Sequence, residues 1–220
     1  MKHFRLLIAL SGIALFSLTN VQTSSAMTLP AFHLSQVVSA GLSQAVMAID
    51  KQSVKPDAPL TAAQGIQLIV EAFALNLDEV RFLKAPLATD YFPRAKNDAW
   101  YANTLIIAAH NGFDLPRQLD PNQTWTKEKF LHQLMHVLEQ HEHLPMIRIA
   151  PESFADMDQL EPLYQGSIER AIALKIVKLD AERKLHPKAE ITRSEALEWI
   201  GNAVAFSKKR SSLAGSESDQ

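Results

Sequence analysis

Along most of the chain the apolar residues recur every three to four positions, with little strict alternation, so the pattern predicts helices and few strands. The first helices predicted are Leu34–Ile49 and Thr61–Leu75, the second with Ile66, Ile69, Val70 and Phe73 on one stripe. Trp100–His110 follows, with Leu105, Ile106 and Ala109 in phase and Asn111-Gly112 as a left-handed stop. Thr126–Gln140, Leu163–Leu174 and Thr192–Phe206 complete the set. The connections 77–99 and 140–162 carry prolines at 86, 93, 145, 151 and 162, so they cannot continue a helix; a short extra one is expected around Leu77–Phe82.

A second regularity overlies the first. A threonine stands five residues after a proline at Pro56/Thr61, Pro121/Thr126 and Pro187/Thr192, each time preceded directly by an apolar residue: Leu60, Trp125 and Ile191. The threonines are 65 and 66 residues apart and each opens an amphipathic run, which suits a helix N-cap. Regular spacing of this kind implies one unit, helix, proline-bearing loop and capped helix, used three times. Thr61 has Gln64 and Thr192 has Glu195 three residues on, so both can close a reciprocal capping box. Thr126 has Lys129 there and cannot; Trp125 and Phe130 are placed instead as a hydrophobic staple.

Composition changes the picture at the two ends. Residues 1–26 combine Lys2 and Arg5, an apolar run from Leu6 to Leu18 and a small-x-small ending at Ala26, the make-up of a secretory signal peptide. The apolar part is too short to span a bilayer. From Ser207 the chain is small and polar and is expected to be a disordered tail, 207–220. Between them lies one module, 33–206, with repeats at about 33–77, 88–140 and 150–206. Without Lys2 and Arg5 the chain carries 20 basic against 24 acidic residues, a net −4, which argues against nucleic acid and against an anionic membrane surface as partners. There is no cysteine, so no disulfide framework accompanies export.

The third unit carries Phe154-Ala155-Asp156-Met157, Tyr164-x-x-x-Ile168-x-x-Ala171, Ile176-Val177, Leu185-x-Pro187 and Ile191-Thr192-Arg193-Ser194-Glu195. This series resembles the S-layer homology motif. The second unit is similar through Phe92, Trp100, Leu105, Ala108, Gly112-Phe113, Leu119-x-Pro121 and Trp125-Thr126-Lys127; the first keeps Leu42, Ala45, Val54-x-Pro56 and Leu60-Thr61. The resemblance implies an all-α fold of three helix–loop–helix units packed as one compact pseudo-threefold module. It also implies attachment to a cell-wall polysaccharide bearing pyruvate ketals or similar acidic groups, hence a secreted, envelope-associated and non-catalytic protein.

Such a role needs cationic and aromatic groups at the helix mouths. Free amides and the positive dipole end of a capped helix favour a carboxylate, and an arginine beside the cap offers a bidentate fork. Arg193 and Thr192 in the third unit and Lys127 and Thr126 in the second are therefore the candidate anion contacts, and Trp100 the candidate sugar contact. The family's pattern is not kept throughout. Its arginine is Lys127 in the second unit and Ala62 in the first; its tryptophan falls on Leu163 and near Val37; its aspartate is Arg94 in the second; and a glycine is replaced by Lys175. A second reading follows, a degenerate triplet serving as a scaffold for an envelope protein.

Enzyme and metal chemistry find less support. His132 and His136 stand i, i+4, with Glu139, His141 and His143 following, a spacing that sterically admits a metal. They lie opposite the stripe Phe130, Leu131, Leu134 and Leu138 on a helical wheel, so a solvated face is expected and no metal or cofactor is assigned. Gln133 stands where a zinc protease has its glutamate. Asp156/Asp158 and Asp78/Glu79 are sequence neighbours, whereas a glycan hydrolase needs two carboxylates facing each other across a cleft. A small secreted metal binder or glycan hydrolase is the remaining alternative, and no catalytic residue is assigned.

Overall fold

The structure, a computed structural model, describes residues 55–144 and 153–217, with side chains as far as Ser212. All of these belong to the second of the two units into which the chain divides, 32–220. The expected signal peptide and the helix expected at Leu34–Ile49 lie outside the described residues. The regular elements among the described residues are helices: α1 (Ala62–Ala72), α2 (Ala88–Tyr91), α3 (Ala102–His110), α4 (Lys127–His141), a 3-10 turn at Met157–Gln159, α5 (Gln165–Ala173) and α6 (Arg193–Glu217).

Helices α1, α4 and α6 pack against one another, α3 leans on α1, and α5 leans on α4. Each central helix therefore buries more than a single stripe. In α1 the predicted residues Ile66, Ile69, Val70 and Phe73 are buried, and Ala62, Ala63, Leu68 and Ala72 join them. Gly65 allows the tightest approach: a Cβ there would lie 2.9 Å from the Trp125 ring. That ring also meets Phe130 edge-on at 6.4 Å, the contact a staple requires. Gly112, at φ 78°, ends α3 as the Asn-Gly pair implies.

Three expectations are corrected. No helix forms at Leu77–Phe82: the Asn76 side chain accepts the Asp78 amide at 2.9 Å, an Asx turn that competes with helix initiation, and the chain winds instead at Ala88–Tyr91. The last helix does not stop at Phe206, so residues 207–217 of the expected disordered tail are helical. Lys208, Lys209 and Arg210 favour helix, and Ser207 and Arg210 both reach back to Glu142 at the end of α4. Third, the polar face assigned to α4 is not solvated throughout: His132 is 2 % exposed, because α5 and the loop around Asp114 cover that end, while His136 is half-buried and His141 and His143 are exposed as expected.

Candidate functional site

The residues just before the central helices meet at the middle of the fold. The Leu60 amide donates to the Ile191 carbonyl, the Ile191 amide to Trp125, and the Trp125 amide to Leu60, each at 3.0 Å, closing a ring of three hydrogen bonds. Isolated bridges pair Pro59 with Thr192, Thr61 with Thr124, and Thr126 with Glu190 around the same ring. The proline-bearing loops then cover the helix mouths. Ala62 and Ala63 of α1 donate to Gln123 and Pro121; Lys127 and Glu128 of α4 donate to Ala189 and Pro187; Arg193 and Ser194 of α6 donate to Ala58 and Pro56. In every case the second amide of a helix meets the carbonyl of a proline that stands five residues before another helix's threonine.

This arrangement changes the chemistry expected of the mouths. A helix leaves its first amides without intrahelical partners, and these were to face an anion; instead the first two of each central helix are occupied at 2.8–3.1 Å by carbonyls from another part of the chain. The third is taken by the cap where the cap exists. Gln64 donates to the Thr61 hydroxyl while the Thr61 amide donates to the Gln64 side chain. Glu195 and Thr192 make the same reciprocal pair. Thr126 makes no side-chain cap bond, and its buried hydroxyl has no partner.

The candidate cations are drawn into the same framework. Lys127 Nζ pairs with Glu195 at 2.5 Å, joining α4 to the capping box of α6. Burial by itself would raise the Glu195 carboxyl, but the Lys127 hydrogen bond, those from the Thr192 amide and hydroxyl, and the lysine charge hold it below its ordinary value. Arg193 is 8 % exposed, and burial lowers its pKa. Trp100 differs: its side chain is 60 % exposed, leaning edge-on against Tyr101, whereas Phe92, Trp125 and Trp199 are buried. Thus Thr126, Lys127, Thr192 and Arg193 lie on the hydrogen-bonded core of the fold, and Trp100 offers a ring to solvent.

The remaining motif residues build the walls. Asp156, 2 % exposed, accepts the amides of Leu185 at 3.0 Å and His186 at 2.7 Å, fastening the segment ahead of the 3-10 turn to the loop that carries Pro187. Phe154, Ile168, Ala171, Ile176, Val177, Leu185 and Ile191 are buried around it. Glu128, 1 % exposed, receives Lys188 Nζ at 2.6 Å and the Glu161 amide at 3.2 Å. Glu139 holds Arg170 with both oxygens, clamping α4 to α5.

The histidine pair His132 and His136, expected to face solvent, belongs to a polar cluster with partners the sequence reading did not name. His132 Nε2 lies 3.0 Å from Asp114 Oδ2, its Nδ1 lies 2.9 Å from Ser167 Oγ, and the His136 ring stands 4.4 Å away. Burial, and secondarily the neighbouring His136, lower the pKa of His132 despite the hydrogen bond to Asp114. The i, i+4 spacing signalled the pair; the third member, on a loop 18 residues upstream, left no signal in the sequence.

Among the described residues the architecture is thus all-helical, with the central helices joined at their N-termini by hydrogen bonds between distant loops. Residues 153–197, from the segment ahead of the 3-10 turn to the first turns of α6, match the model of the S-layer homology domain. Domains of this kind are non-catalytic modules that anchor proteins at the cell surface by binding cell-wall polymers. No curated protein is similar enough to the chain to match it. Among the described residues no helix is long and apolar enough to cross a membrane.

Proposed function

We propose that this chain is an exported, non-catalytic module of the cell envelope that binds an acidic, pyruvylated cell-wall polysaccharide. The observation that carries the reading is the S-layer homology match at 153–197, whose motif residues Asp156, Ile191, Thr192 and Glu195 are all engaged in the framework. The pseudo-threefold organisation belongs to the same reading. Its support is the ring Leu60–Ile191–Trp125, in which three stretches 65 and 66 residues apart make equivalent bonds. In this reading Trp100 stacks on a sugar ring, while Lys127 and Arg193, with the caps Thr126 and Thr192, supply positive potential to a carboxylate.

A second reading has an observation of its own. With the leading helix amides occupied and Arg193 8 % exposed, the mouths resemble structural joints, which favours a scaffold for an envelope protein. Retention by purified sacculi separates the two. The polysaccharide reading expects wild type to be retained after protease treatment of the sacculi, and retention to fall in Trp100→Ala and in Lys127→Ala. Loss of retention after protease treatment alone supports the protein partner. Absence of retention on untreated sacculi refutes envelope attachment, and equal retention of both variants refutes the residue assignment.

A further inference from the structure

We propose that Asp114, His132 and His136 form a binding site for a zinc-type divalent cation, independent of any polysaccharide contact. One ligand atom from each of these residues falls within 4.8 Å of the other two. His132 and His136 are one turn apart on α4, so both rings project from one face, and Asp114 meets them from the loop that follows α3. Bonds of about 2.0–2.1 Å to zinc place tetrahedral ligands about 3.3 Å apart. His132 Nε2 and Asp114 Oδ2 are already 3.0 Å apart. The remaining approach falls to the Asp114 side chain, half exposed, and to His136, partly exposed; both have room to turn.

The surroundings hold the ligands as a metal site requires. Ser167 Oγ engages the other nitrogen of His132 at 2.9 Å, and the Tyr164 ring lies against the imidazole at 4.8 Å, so that ring is fixed. Gln133 grips the Asp114 backbone twice, accepting its amide at 2.9 Å and donating to its carbonyl at 2.7 Å. Two electronegative atoms 3.0 Å apart must share a positive centre between them. In the metal-free chain it is a proton on Nε2, with Ser167 donating its hydroxyl to Nδ1. A metal takes that proton's place when the tautomer reverses and Nδ1–H donates to Ser167, a change the hydroxyl accommodates in either sense. Two imidazoles and a carboxylate suit zinc, cobalt or nickel better than calcium or magnesium, which favour all-oxygen shells. The half-exposed side leaves the fourth position to water, and the ion would tie the 113–115 loop to α4 and, through Ser167, to α5.

Calorimetric titration of the purified chain with zinc, and the visible spectrum of its cobalt(II) form, test the site. One equivalent is expected to bind at micromolar concentration or tighter, with cobalt bands of tetrahedral intensity. Affinity is expected to fall at least tenfold in His136→Ala and in Asp114→Asn and to stay unchanged in His141→Ala/His143→Ala, which removes the exposed histidines at the end of α4. His136 makes no hydrogen bond that folding depends on, so a helical circular-dichroism spectrum is expected for His136→Ala, and its loss of metal reads the site. Failure of wild type to bind zinc at micromolar concentration overturns the proposal. So does undiminished binding by both His136→Ala and Asp114→Asn.

Discussion

The stretches 88–141 and 153–217 solve the same three structural problems with different chemistry. At the helix mouth, Thr192 and Glu195 close a reciprocal polar cap, whereas Thr126 has no cap bond and relies on Trp125 against Phe130. At the proline loop, Asp156 accepts two backbone amides, whereas Arg94 makes an ion pair with Asp120. At the helix stop, the later stretch puts Lys175 at φ 60° where the earlier has Gly112 at φ 78°. At the mouth and the loop, the later stretch uses reciprocal or buried polar bonds, and the earlier an apolar ring contact and an exposed ion pair. The difference fits the family match, which covers 153–197.

The contrast is broken most severely at its apolar pole. Trp125→Ala removes the ring that fills the space above Gly65, and a loss of about 3–5 kcal/mol is expected in denaturant unfolding. Next comes the loop strut. Asp156→Ala strands the Leu185 amide, and a cost of about 2 kcal/mol is expected. Arg94→Ala, removing an exposed ion pair, should cost less than about 1 kcal/mol in the same assay. Equal losses in these two would erase the distinction between buried and exposed struts.

The caps give a smaller and more diagnostic pair. Thr192→Ala is expected to lower stability by about 1 kcal/mol. Thr126→Val, which removes a buried hydroxyl that bonds to nothing, should leave the thermal midpoint unchanged or raise it. Lys175→Gly acts in the opposite direction to most of these. Relief of a left-handed side chain, set against the added freedom of glycine in the unfolded chain, should stabilise by roughly 0.5–1 kcal/mol. A loss of stability there would mean the lysine side chain supports the fold in some other way.

Local chemistry was the part of this molecule that could be read in advance. The boxes at Thr61 and Thr192, the Trp125–Phe130 contact and the stop at Gly112 each depend on residues a few positions apart, and each is present. What escaped depends on partners far away in sequence. His132 looked solvated because a helical wheel assumes one buried side, and α4 is covered on several. The amides at the helix mouths looked free because nothing near Thr61 names Pro121 or Gln123 as their acceptors. The proline–threonine spacing did mark the places where the central helices are joined, but its meaning inverts: the proline carbonyl closes a different helix from the one it precedes.

Because the three loops hand their bonds round in a circle, the assembly has no terminal member, unlike an open solenoid whose end repeats can be shed with loss of a single interface. Deleting any one stretch cuts two joints and leaves the surviving helices with bare carbonyl and amide edges. The joints also span sequence separations of roughly 65 to 130 residues, so the chain must come nearly full circle before the last bond can form. Partial forms gain little, and the protein should persist whole or be cleared whole.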